Sequence, residues 1–86
     1  MLTDTHPAIR TQCAAHFNFW ADRLKLELDA AKAAYKVKGL DTRSLADHFI
    51  ALFEGSLMLA KTRQDLDVIA KNLQHYKKYL KSIFAR

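Results

Sequence analysis

Apolar side chains recur every three or four residues along three stretches of this 86-residue chain, and this spacing constrains the fold more than any other feature. Residues three and four positions apart share one face of an α-helix, so each stretch predicts an amphipathic helix. The chain has only two glycines and one proline, which argues against the many turns of an all-β fold. We therefore predict a single all-α domain over residues 1–86, with three antiparallel helices at about 7–38, 43–62 and 65–84.

The first predicted helix carries two apolar rows on roughly opposite sides. The main row runs from Ile9 to Tyr35, and Gly39 follows as a candidate left-handed C-cap. The second row is thinner and consists of Phe19, Leu26, Ala30, Ala33 and Val37. A lone surface helix does not normally expose large apolar residues on its outer face. Either something outside this chain covers the second row, which we favour, or the row is incidental, since single exposed apolar residues are common.

The second predicted helix has an apolar arc over about half of its circumference, which is typical of a helix with neighbours on two sides. Gly55 and Ser56 interrupt this arc, and such small residues predict a crossing point where another helix comes close. The third predicted helix has apolar residues alternately three and four apart from Leu66 to Ile83. This period of about 3.5 residues indicates the near-parallel packing found in helical bundles.

Composition and charge exclude several classes of protein. The formal net charge of +5 is modest, and the basic residues are scattered, so anionic partners are only slightly favoured. No stretch is long and uncharged enough to cross a bilayer, and no signal peptide opens the chain. Cys13 is the only cysteine, so a disulfide framework within the chain is impossible. We expect a soluble, cytoplasmic protein with no membrane partner.

No arrangement of residues predicts catalysis or metal binding. Cys13 and His16 lie one turn apart, but structural zinc needs four ligands and no second pair follows. His48 directly follows Asp47, so on a helix the two side chains point in different directions. The chain has neither a phosphate-binding glycine loop nor an H-E-x-x-H motif. We therefore expect no enzyme activity, no catalytic residue, no metal and no cofactor.

Aromatic residues at helical spacing raise the possibility of a cavity between the first two helices. The candidate lining residues, which double as the candidate effector pocket below, are His16, Phe17, Trp20, Leu24, Phe49 and Phe53. Such a row is more often plain core than the wall of a ligand site, so the spacing alone does not establish a pocket.

Several runs of residues resemble one family, the TetR-type (tetracycline-repressor-like) transcriptional regulators. The stretch from Leu45 to Ala60, and within it the run Phe53 to Leu57 (FEGSL), is similar to the penultimate helix of these proteins. The break from Arg63 to Leu66 (RQDL), with the helix after it, resembles the start of their last helix. The first helix, with Phe17 to Trp20 (FNFW) and the closing run Lys38 to Asp41 (KGLD), looks like the helix before these two.

The resemblance implies the C-terminal domain of a regulator that reads DNA through an N-terminal helix-turn-helix. In this family the C-terminal domain binds a small effector and dimerises, typically through a four-helix bundle made from the last two helices of each subunit. The sequence has no helix-turn-helix, so the resemblance implies contact with DNA only through a unit absent from this chain. It also lacks the first helices of the effector domain, so any pocket would lack part of its wall. The implied partners are a second copy of the chain and a small apolar or aromatic effector.

The resemblance and the wide apolar arc together predict a symmetric homodimer in which the second and third helices pair with their copies. The expected interface residues are Leu45, Leu52, Gly55, Ser56, Leu59, Leu66, Ile69, Leu73, Tyr76 and Leu80. The predicted function is effector sensing and dimerisation within a TetR-like transcriptional regulator. The alternative is a freestanding small helical protein–protein interaction module whose similarity to TetR reflects generic bundle patterning.

Overall fold

A computed structural model of the chain describes residues 7–84, and the described part is all-α, as the sequence predicts. The three helices are α1 (Pro7–Ala34), α2 (Thr42–Arg63) and α3 (Asp67–Phe84). Both ends of α2 and of α3 lie within two residues of the predicted bounds. The prediction is wrong at one boundary, because α1 ends at residue 34 and not at residue 38.

α1 ends early because Lys36, and not Gly39, is the first residue to adopt a left-handed conformation. Lys36 has a φ of 55°. The Val37 amide donates to the Lys32 carbonyl oxygen at 3.0 Å, and the Lys36 amide donates to the Ala33 carbonyl oxygen at 3.3 Å. This pair of hydrogen bonds is the Schellman motif that closes many helices. Gly39 also has a positive φ, of 73°, but it lies in the connection to α2.

Polar residues fix the other helix ends. The Asp41 carboxylate accepts a hydrogen bond from the Ser44 amide at 3.0 Å and so caps the N-terminus of α2. Gln64 closes α2 in the left-handed conformation, with a φ of 53°. The Asp65 carboxylate accepts from the Asp67 amide at 3.0 Å, which satisfies one of the free amides at the start of α3.

α2 is the central helix, and α1 and α3 both pack along it. Both neighbouring pairs are antiparallel, as predicted. In the α2–α3 pair, for example, Leu45 meets Tyr76, and further along α2 Ser56 meets Asn72. The position of α2 explains its wide apolar arc, since it has a neighbour on two sides.

The described residues bury little apolar surface. The buried apolar residues are Ala21, Leu45, Ala46, Ala60 and Tyr76. The large apolar side chains that stay exposed are Phe17, Phe19, Trp20, Leu26, Tyr35, Phe53, Leu57, Met58, Leu59, Leu66 and Tyr79. The radius of gyration is 15.2 Å, whereas about 12 Å is expected for a compact domain of this length. Three helices by themselves therefore leave much of their apolar surface uncovered.

None of the described helices is long and apolar enough to span a membrane. Within residues 7–84, no group of three or more His, Cys, Asp or Glu side chains is placed so that it could hold a metal ion.

Candidate functional site

An apolar groove of about 380 Å³ lies between α1 and α2. The structure brings together around it all six residues that the sequence selects as candidate lining, namely His16, Phe17, Trp20, Leu24, Phe49 and Phe53. Two further residues, Ile50 and Glu54, complete the lining. We call this cavity the α1–α2 groove.

The α1–α2 groove is open to the surface along its aromatic wall. Trp20 is 48% exposed and Phe17 is 40% exposed. The rings of Phe49 and Phe53 are stacked, with centroids 6.2 Å apart and planes at 5°, and the His16 ring meets Phe17 edge-on at 5.5 Å. Aromatic pairs at such distances are favourable, so the rings of the wall support one another without a ligand.

Ile50 and Glu54 are absent from the sequence prediction, for different reasons. Ile50 lies on the same apolar arc of α2 as Phe53, so helical spacing alone could have placed it beside the groove. Glu54 carries a charge, and a search for apolar periodicity discards charged residues. No apolar pattern could have found Glu54, and only the packing of α2 on α1 shows that it borders the groove.

Polar side chains join α1 and α2 beside the groove, with Arg43 at their centre. Its guanidinium donates to Asp22 Oδ1 at 2.6 Å and to Asn18 Oδ1 at 3.0 Å. Arg43 Nε also lies 3.5 Å from Asp47 Oδ1. The Arg43 and Asp22 side chains are 40% and 69% exposed. Ion pairs at this exposure each contribute about 0–1 kcal/mol, so this cluster aligns the two helices more than it stabilises them.

Asp29 makes a second polar contact between α1 and α2. Lys25 Nζ donates to Asp29 Oδ2 at 2.8 Å, and the hydroxyl of the buried Thr42 donates to Asp29 Oδ1 at 2.5 Å. The hydrogen bond from Lys25, followed by that from Thr42, favours the charged carboxylate and lowers the pKa of Asp29 below its usual value. The contact also gives the buried Thr42 hydroxyl the acceptor that it needs.

The contact between α2 and α3 is largely aromatic. Tyr76 is only 6% exposed, and its hydroxyl donates to the Leu45 carbonyl oxygen at 3.3 Å. Burial, with a smaller contribution from Tyr79, raises the pKa of Tyr76 above its usual value. The Phe49 ring meets the Tyr76 ring edge-on at 5.1 Å. Phe49 therefore belongs to both the α1–α2 groove and the α2–α3 contact.

Ser56 is the small residue at which α2 and α3 meet. Ser56 is 1% exposed. Its hydroxyl donates to the Leu52 carbonyl oxygen at 2.7 Å and accepts from the side-chain Nδ2 of Asn72 at 2.8 Å. Gly55 does not share this role, because a Cβ atom placed there would have no atom within 4 Å. Within the chain, the crossing predicted at this pair is found at Ser56 and not at Gly55.

The ten residues predicted for a dimer interface differ in burial. Leu45, Ser56 and Tyr76 are buried between α2 and α3 of one chain, so a second chain cannot reach them while these helices stay packed. The half-buried residues of the set are Leu52, Ile69, Leu73 and Leu80. The exposed residues of the set are Gly55, Leu59 and Leu66.

The outer side of α2 is apolar and uncovered. Helical spacing places Ala51, Gly55, Met58 and Leu59 on the side of α2 that faces away from the buried Ala46. Met58 is 70% exposed, and Gly55 forms a notch without a side chain among its neighbours. We call these four outward residues the outer α2 face.

The second apolar row of the first helix is left largely uncovered by the rest of the described chain. Phe19 is 54% exposed and Leu26 is 70% exposed. The Arg23 guanidinium lies 5.6 Å from the centre of the Phe19 ring, and the Trp20 ring meets Phe19 edge-on at 5.3 Å. These contacts come from the same helix and leave most of the row open.

Comparison with known proteins identifies the family. The family model described as "Tetracyclin repressor-like, C-terminal domain" matches residues 2–76, which include α1, α2 and the first half of α3. No curated protein and no solved structure matches the chain. Domains of this kind are the effector-binding and dimerisation parts of transcriptional regulators, and their role is regulatory and not enzymatic. The chain belongs to the family of tetracyclin repressor-like C-terminal domains.

Proposed function

We propose that this chain is a homodimeric effector sensor in a TetR-like transcriptional regulator. The α1–α2 groove binds a small apolar or aromatic molecule, and the outer α2 face pairs with its copy in a second chain. The observation that carries this proposal is the open groove itself, in which aromatic side chains from two helices surround one cavity.

The size and chemistry of the groove support a small-molecule ligand. Its volume of about 380 Å³ lies within the range of about 300–1,000 Å³ that is usual for ligand pockets. The walls are aromatic, and Trp20, Phe17 and Phe53 each keep at least a third of their surface exposed. An apolar ligand in the groove would remove this surface from water, which is the main source of affinity in such sites.

The uncovered surface supports a second copy of the chain. The accessible surface is 6721 Å², whereas a compact monomer of this mass exposes about 5,200 Å². The excess of about 1,500 Å² falls within the roughly 1,000–2,500 Å² that each chain buries in an obligate homodimer. The Gly55 notch on the outer α2 face would allow the backbones of two α2 helices to come close.

Phe49 offers a physical link between the two sites. Its ring stacks on Phe53 in the groove and meets Tyr76 in the α2–α3 contact. A ligand that displaces Phe49 alters the packing of the helices that carry the dimer interface. An effector that prefers one arrangement of the dimer shifts the population toward it, and dimerisation changes effector affinity by the same factor. In the full regulator, this shift sets the relative placement of the two DNA-reading units.

Fluorescence titration with a neutral apolar dye, N-phenyl-1-naphthylamine, tests the groove. Trp20 is the only tryptophan of the chain and lines the groove, so we expect the dye to quench its emission. Phe53→Ser removes part of the apolar wall and should weaken dye binding about ten-fold.

The matched control is Leu66→Ser, at a residue that is 78% exposed and does not line the groove. This control should bind the dye as the wild type does. Dye binding that is unchanged in Phe53→Ser, or weakened equally in the control, would contradict the proposed site.

A further inference from the structure

Glu54 is the one acidic residue that lines the α1–α2 groove. Within residues 7–84, its carboxylate makes no hydrogen bond and no ion pair. The carboxylates along the α1–α2 contact differ from it in this respect. Asp22 and Asp47 pair with Arg43, and Asp29 pairs with a lysine.

Glu54 also lines two adjacent cavities. A second cavity of about 290 Å³ adjoins the groove and shares Phe17, Ile50 and Glu54 with it. A ligand whose apolar part fills the groove can therefore place a polar end beside the Glu54 carboxylate and still reach solvent. The positive charge of Arg43, at the α1–α2 contact, is already paired with Asp22 and Asp47.

The aromatic wall of the groove and the Glu54 carboxylate both favour a positively charged ligand. The faces of aromatic rings carry negative potential and hold organic cations such as quaternary ammonium groups. A carboxylate without a partner attracts a cation and repels an anion. We propose that the ligand of the α1–α2 groove is an aromatic organic cation, with its rings against the aromatic wall and its positive charge beside Glu54. This inference rests on the proposed function, since it assumes that the groove is an effector site.

Two dyes of the same shape test the charge preference. N-methylacridinium is a planar aromatic cation, and 9-methylanthracene is its neutral counterpart, so the two differ in charge and not in size. Both are titrated against the full chain by fluorescence. Glu54→Gln keeps the shape of the side chain and removes its charge, and we expect it to weaken acridinium binding about five-fold. The affinity for methylanthracene should stay unchanged.

The matched control is Glu27→Gln, which changes the only other glutamate of the chain. Glu27 is exposed on α1 and does not line the groove, so acridinium binding should be unaffected. An equal loss in this control would show that overall charge, and not Glu54, attracts the dye, and it would overturn the inference.

The outcomes separate this inference from the proposed function. If methylanthracene binds and Glu54→Gln leaves acridinium affinity unchanged, the cationic ligand is wrong and the groove remains a binding site. If neither dye binds the wild-type chain, both the ligand class and the proposed effector site are wrong.

Discussion

The two contacts of the central helix differ in chemistry. Toward α3, α2 presents buried groups, with Ser56 hydrogen-bonded to Asn72 and Tyr76 packed over Leu45. Toward α1, the buried groups are small, such as Ala21 and Thr42. The Arg43–Asp22 ion pair lies at the exposed edge of this contact, and an open groove separates the aromatic side chains. One contact buries a large aromatic ring, whereas the other buries only small side chains and has a cavity beside it.

This difference indicates which part of the molecule can respond to a ligand. Buried, well-packed contacts have discrete arrangements and resist small displacements. Exposed ion pairs tolerate changes in geometry at small cost, because water replaces the lost interaction. We therefore expect α2 and α3 to move as one unit, and α1 to adjust its position on α2 when the groove is filled.

The largest expected effect comes from the α2–α3 contact. Tyr76→Ala removes the most buried aromatic side chain of the described residues and should lower the free energy of unfolding by about 3 kcal/mol or more. Tyr76→Phe keeps the ring and loses only the hydrogen bond to Leu45, so about 1 kcal/mol is expected. Urea unfolding at one fixed protein concentration measures both, because stability depends on concentration in a dimer. A loss in Tyr76→Ala no greater than that in Tyr76→Phe would contradict the proposed role of the buried ring.

A smaller effect is expected at the α1–α2 contact. Arg43→Gln removes the ion pairs with Asp22 and Asp47, and the free energy of unfolding should fall by less than about 1 kcal/mol. Arg10→Gln, at an exposed residue near the start of α1, controls for the change in net charge. If Arg43→Gln destabilised the chain as much as Tyr76→Ala, the contrast between the two contacts would be lost.

The smallest effect is a pH dependence at Asp29. Because Lys25 and Thr42 lower its pKa in the folded chain, Asp29 contributes stability above the pKa of the unfolded chain. That contribution disappears as the pH falls through the lower folded pKa. Asp29→Asn should therefore melt at a lower temperature than the wild type at neutral pH, and the difference should shrink as the pH falls through the folded pKa of Asp29. A difference that persisted in acid would assign the stabilisation to shape and not to charge.

The helices themselves were predictable because apolar periodicity is a local property of the sequence. The end of α1 was not, since glycine is the usual left-handed residue and the chain instead uses Lys36. Spacing also placed six residues around one groove, because residues on facing stripes of adjacent antiparallel helices meet. Neither the distinct positions of Ser56 and Gly55 nor the place of Glu54 was predictable, since each depends on the rotation of α2 between its two neighbours.

Sedimentation equilibrium at micromolar concentration tests most directly the claim that one chain leaves apolar surface for a second copy to cover. We expect a species of twice the 9.9 kDa chain mass. Gly55→Leu fills the notch on the outer α2 face and should weaken association at least about ten-fold. Gln74→Leu, on an exposed position of α3, should leave the dimer unchanged. A wild-type chain that stays at 9.9 kDa throughout this concentration range would contradict the account.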